Sequence, residues 1–130
     1  MKAIELLEKY PEAAKVINEF YRSRMMNSME TDDVPDEFKE MLKEQSFDNE
    51  YIATFIDASP RMLFDVFDSN GVYIEILVDL TKDDALFSYV INGNIMSNVE
   101  GVLYNSRIEA EKVAIEKAFE ILNEKLCQIK

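Results

Sequence analysis

Val72-Tyr73-Ile74-Glu75-Ile76-Leu77-Val78-Asp79-Leu80 reads as a β-strand, and that reading sets the fold class. Val72, Ile74, Ile76, Val78 and Leu80 alternate with Tyr73, Glu75, Leu77 and Asp79, the period-2 signature of a strand with one face turned to a core. Four of those five inward positions are β-branched, which suits a pleated surface.

The neighbouring segments extend the pattern in both directions. Met62–Phe67 is predicted to be a strand as well, joined to the first by a turn at Asp68-Ser69-Asn70-Gly71. A three-residue loop with Gly71 left-handed at a bulge aligns Val66 with Ile74, Phe64 with Ile76 and Met62 with Val78. Downstream, Ala85, Phe87, Tyr89 and Ile91 offer a third strand to the same face. Asn92-Gly93-Asn94 then turns the chain into a weaker strand over 95–104, interrupted at Gly101. This is a three- to four-stranded antiparallel β-meander spanning about 62–104.

Ser106 and Glu109 have the spacing of a capping box, and a long C-terminal helix over about 106–127 follows. Ile108, Ile115, Phe119, Leu122 and Leu126 line one face of it, and Ala110, Ala114 and Ala118 permit close packing on one sheet face. Residues 1–60 read as short amphipathic helices. One runs over 2–9, and another starts at Pro11, where the missing N–H costs nothing. A third opens at Pro35 with Phe38, Met41 and Leu42 as its stripe. A fourth, capped by Ser46 or Asp48, carries Tyr51, Ile52, Phe55 and Ile56 and ends at Ser59-Pro60. The whole is a single α+β domain over 1–130, helical in 1–60 and meander plus helix in 61–130.

Composition narrows the chemistry. The chain has 26 acidic and 14 basic residues and a net charge of −12, spread as −7 over 1–60 and −5 over 61–130. Such a field opposes direct nucleic-acid binding and association with anionic membranes. Histidine is absent, which removes His-dependent nucleophiles and most transition-metal sites. Gly71, Gly93 and Gly101 cannot assemble a phosphate-cradling loop, so no cofactor is expected. Around Asp68-Ser69-Asn70-Gly71 a calcium loop would need Val66 and Leu77 as ligands, and neither can ligate. Asp79, Asp83 and Asp84 read as a solvated loop rather than a metal site. The lone Cys127 is expected to be structural and semi-buried. With no internal disulfide, no membrane span and no signal peptide (Glu5 and Glu8 interrupt the first apolar run), a cytoplasmic setting is expected.

The strand–strand–strand–helix order ending in Ser106-Arg107-Ile108-Glu109-Ala110-Glu111-Lys112 resembles the double-stranded RNA-binding domain in topology. It lacks that family's lysine cluster at the start of the last helix, so the resemblance implies topology and no binding residue. The same segment is similar to small proteins of gut bacteria and their phages, which implies a phage or mobile-element origin and no stated activity.

On the meander's second face, Leu63, Asp65, Phe67, Tyr73, Glu75, Leu77, Leu86 and Val90 form the candidate interaction face, with Asp65 opposite Glu75. The N-terminal helices are expected to cover it through Ile17, Phe20, Phe38, Leu42, Ile52 and Phe55. The other reading is an acid-rimmed groove for a protein partner or a second copy. The functional expectation is a non-enzymatic protein–protein interaction module. One variant mimics nucleic acid through Glu109, Glu116, Glu120 and Glu124, or through Asp32, Asp33, Asp36, Glu37 and Glu40. The alternative is a nucleic-acid-binding module that gathers Arg22, Arg24, Arg61, Arg107 and Lys112 into one patch. A carboxylate-only enzyme built on Asp65 and Glu75 ranks last.

Overall fold

A computed structural model of the chain describes residues 2–28, 35–37, 40, 48–80, 83–96 and 103–128. The helix expected at Phe38, Met41 and Leu42 and the cap at Ser46 lie outside the described residues. The fold is α+β. Helices α1 (Ala3–Lys9), α2 (Pro11–Ser28), α3 (Asn49–Ala58) and α4 (Met62–Ser69) precede strands β1 (Ile74–Leu80), β2 (Ala85–Ile91) and β3 (Ile95–Met96), and helix α5 (Arg107–Gln128) follows.

Three of the helix starts have a local cause. Pro11 occupies the first position of α2. At α3 the Asp48 carboxylate accepts the Tyr51 N–H at 2.9 Å, and at α5 Ser106 Oγ accepts the Glu109 N–H at 3.1 Å, each satisfying a donor that no earlier turn can reach. A long-range contact does the same for α2. Asn123 Oδ1 accepts from the N–H groups of Glu12 at 2.9 Å and Ala13 at 3.2 Å, so α5 caps α2 with a side chain. Asn123→Ala should therefore cost about 1–2 kcal/mol in urea unfolding, whereas Asn123→Asp, which keeps the acceptor and adds favourable charge at a helix start, should hold wild-type stability.

The segment 62–69 corrects the expectation of a strand: it is helix α4, with Leu63, Val66 and Phe67 buried and Asp65 and Asp68 exposed. A short apolar run fits either period, and here the helical spacing places its apolar residues together. α3 ends at Ala58 with Ser59 as its C-cap, as Ser59-Pro60 implies, and the Pro60 carbonyl then accepts the Leu63 N–H at 3.1 Å as α4 begins. Gly71 is likewise not at a hairpin bulge. Its φ of 76°, the Val72 N–H on the Phe67 carbonyl at 2.8 Å and the Gly71 N–H on the Asp68 carbonyl at 3.3 Å form a Schellman cap on α4. Val72, fully buried against this helix end, belongs to the cap, and β1 begins at Ile74.

β1 and β2 form an antiparallel hairpin in which Ile74 faces Ile91, Ile76 faces Tyr89 and Val78 faces Phe87. The alternation read from both strands is therefore correct. Beyond the turn at Asn92 (φ 53°) and Gly93 (φ 75°), β3 pairs only Ile95 and Met96 with β2, and Tyr104 makes an isolated bridge to Phe87. The expected meander is thus a hairpin with a two-residue strand appended; residues 97–102 lie outside the described residues.

Helix α5 is the centre of the packing. It lies against β1 and β2 on one side and against α2 and α4 on the other. Phe119, fully buried, sits edge-to-face with Phe67 at 5.7 Å between ring centroids and tilted against Tyr10 at 6.3 Å. Leu7, Ile17, Ile52, Leu63, Ile91 and Leu122 complete one continuous core around it. Ile108, expected on the buried face of α5, is instead exposed near its start.

Candidate interaction surface

The structure divides the eight candidate residues between α4 and the β1–β2 hairpin. Leu63, Asp65 and Phe67 lie on α4, not on a strand. Leu63 and Phe67 are fully buried in the core, so they belong to no accessible face. Asp65 is exposed and accepts Arg24 Nη2 at 3.2 Å instead of opposing Glu75. The carboxylate pair imagined for acid–base chemistry is not assembled. Tyr73, Glu75, Leu77, Leu86 and Val90 do share one side of the hairpin. Tyr73, Glu75 and Leu77 are exposed, Leu86 is half-buried and Val90 is buried.

The expected cover for that side is not supplied by the described N-terminal helices. Ile17 and Ile52 are buried in the helical core, and α1–α4 pack chiefly on one another and on α5 rather than on the strands. Helix α5 takes the opposite side of the sheet and covers it unevenly. Ile91 and Tyr89 are buried, but toward the far end of the hairpin Val78 is 43% and Leu80 78% exposed. On the other side Leu77 is 40% exposed, and Ile108 at the start of α5 is 66% exposed. The Arg107 guanidinium lies 5.4 Å over the Phe87 ring, and Phe87 faces Val78, so the bare start of α5 and the bare end of the hairpin are at the same place. Large apolar side chains grouped in this way mark binding surfaces more often than scattered ones do. Sequence periodicity missed this because alternation tells which side a residue is on, not how far the covering helix reaches.

The strands at the bare end carry Glu75 and Asp79 and no basic residue, with Asp83 and Asp84 exposed in the loop beyond β1; among the described residues Arg107 of α5 is the cation placed against this end, over Phe87. The chain matches no family model, and comparisons with curated proteins and with solved structures return no match.

Three of the basic residues meet near the start of α5, where Arg61 pairs with Glu111 beside Lys112 and one turn from Arg107, while Arg22 and Arg24 lie on α2. Arg24 is paired with Asp65 near the end of α2, Arg61 Nη2 with Glu111 at 3.0 Å, and Arg107 with the Phe87 ring. Lys112 lines a cleft of about 630 Å³ together with Lys2, Glu5 and Asp57 and the apolar Ala3, Leu6, Ile56, Pro60, Leu63 and Ile115. Arg22 lies on a different, shallower surface with Lys15 and Glu19. The acidic stripe on α5 is likewise interrupted, because Glu120 pairs with Lys117 at 3.1 Å. Glu109 and Glu124 are exposed on that helix and Glu116 is half-buried, and Asp36, Glu37 and Glu40 are exposed; Asp32 and Asp33 lie outside the described residues.

Among the described residues no three His, Cys, Asp or Glu side chains are placed to hold a metal ion, and no helix is long and apolar enough to cross a membrane. Cys127, expected to be semi-buried, is exposed, with its sulfur 3.9 Å from Asn123 Nδ2.

Proposed function

We propose that this protein is a non-catalytic binding module whose target is a basic segment of another protein. The observation that carries this reading is the bare apolar end of the hairpin, Val78 and Leu80 on the side of α5 and Leu77 on the other, where Glu75 and Asp79 flank it. Apolar contact would supply most of the affinity, and the acidic field would steer a cationic partner and repel anionic ones.

The test is affinity capture on the immobilised chain from its native source, with elution by rising salt. Retained proteins should be basic at the contact and should elute as screening shortens the electrostatic range to about 3 Å near 1 M salt. Val78→Ser with Leu80→Ser should release them. Retention unaffected by both salt and the double variant would remove the reading. A low-salt gel shift of double-stranded RNA would replace it with the nucleic-acid alternative.

A further inference from the structure

We propose that the outer edge of β1 takes up an extended segment of the partner as an added β-strand, and that this segment alternates apolar residues with lysine or arginine. The inference rests on the protein-binding reading above and specifies its mode and its chemistry.

β1 is the outermost strand, the sheet order being β1-β2-β3. Its backbone phase follows from two contacts. The Asn92 N–H donates to the Tyr73 carbonyl at 2.9 Å and the Tyr73 N–H donates to Asn92 Oδ1 at 2.8 Å, so Tyr73 turns its backbone groups toward the β2 side. In an antiparallel ladder direction alternates, so Glu75, Leu77 and Asp79 do the same, while Ile74, Ile76, Val78 and Leu80 present N–H and C=O to the outside. Phe87 confirms the phase. It faces Val78, yet exchanges both its backbone bonds with Tyr104 on the opposite side, each at 2.8 Å.

Among the described residues no strand covers this edge, and its protection is limited to the charges of Glu75 and Asp79. Proteins block outer strands with charged side chains, lysine above all, or with proline, a bulge or a very short strand. β1 is seven residues long, Ile-Glu-Ile-Leu-Val-Asp-Leu, with neither lysine nor proline, and pairs residue for residue with β2 along its whole length. A strand laid on such an edge gains main-chain hydrogen bonds from the outward groups, and the flanking side chains choose its sequence. On the side shared with α5 its residues would lie beside Ile76, Val78 and Leu80, which are apolar. On the other side they would lie beside Glu75, Leu77 and Asp79, where two of three are acidic. Apolar and cationic side chains in alternation match both sides at once.

A second copy of the chain fits less well. Antiparallel pairing of β1 with itself about Leu77 sets Glu75 opposite Asp79 twice, and joins two chains of net charge −12.

The experiment uses the full chain and two synthetic peptides of identical valine and lysine content, one alternating and one in blocks, at low salt. The alternating peptide should bind at least about tenfold more tightly. It should also slow hydrogen exchange at the outward amides of Ile74, Ile76 and Val78. Val78→Pro removes an outward N–H and leaves the β1–β2 bonds in place, so the alternating peptide should fall to the affinity of the blocked one. Glu75→Lys with Asp79→Lys, which leaves every backbone group intact, should transfer the preference to an alternating valine–glutamate peptide. Equal affinity for the two lysine peptides would overturn strand addition while leaving a basic partner standing, and binding of neither would overturn both. Self-association abolished by Val78→Pro would assign the edge to a second copy and overturn the proposal.

Discussion

Phe119→Ala should lower stability by about 3–5 kcal/mol, the range for removing a fully buried phenylalanine ring. The ring has no solvent exposure, lies edge-to-face on Phe67 of α4 and tilted on Tyr10 at the end of α1, and is carried by α5. It therefore closes the junction of three helices, and none of them can collapse into the void without shifting the other two. Against a total stability of roughly 5–15 kcal/mol for a domain of this kind, the loss is a third or more of the whole. Urea unfolding followed by far-UV circular dichroism measures it. The midpoint should fall sharply with little change in slope, since the surface exposed on unfolding is nearly the same. A loss below about 1 kcal/mol would show that the α5 junction is not where the core is held together.

Alkaline titration gives the second large effect. Tyr21 is buried on α2, and its hydroxyl has no hydrogen-bond partner among the described residues. Burial pushes that hydroxyl up from 10.0 to about 12, with the Arg24 charge opposing the rise and Asp65 adding to it. The unfolded chain releases this proton near pH 10 and the folded chain holds it, so folding loses stability as pH climbs through that interval. The contribution is fully present below pH 10 and is gone above pH 12, a difference on the order of 2–3 kcal/mol. Tyr21→Phe should remove that component of alkaline unfolding. At neutral pH it should leave stability unchanged or raise it by up to about 1 kcal/mol, because an unsatisfied buried hydroxyl is exchanged for hydrogen. Unfolding midpoints measured for both proteins from pH 8 to 12 give the comparison. Parallel curves for the two would contradict the assignment.

Much of the fold was legible from periodicity alone. The pairing of Ile74, Ile76 and Val78 with Ile91, Tyr89 and Phe87 follows from strict alternation in two strands, and the start of α5 follows from Ser106. The error at 62–69 arose because Met62, Leu63, Phe64, Val66 and Phe67 satisfy either period over so short a run, while Gly71 serves a helix cap as readily as a hairpin. Three of the eight candidate residues, Leu63, Asp65 and Phe67, leave the face for that reason, because the segment that carries them is a helix. The portion on β1 and β2 kept its sidedness. What alternation could not supply was the reach of α5, which covers Tyr89 and Ile91 and leaves Val78 and Leu80 uncovered.

The placement of α5 between hairpin and helices also bears on how the chain is made. Both groups meet chiefly through α5, yet the ribosome completes 2–28, 48–80 and 83–96 before it begins residue 107. Until that helix emerges, α1–α4 can close on one another and β1 on β2, but the two groups lack the element that joins them. The interior shared by hairpin and helices is consequently finished only once α5 has been made.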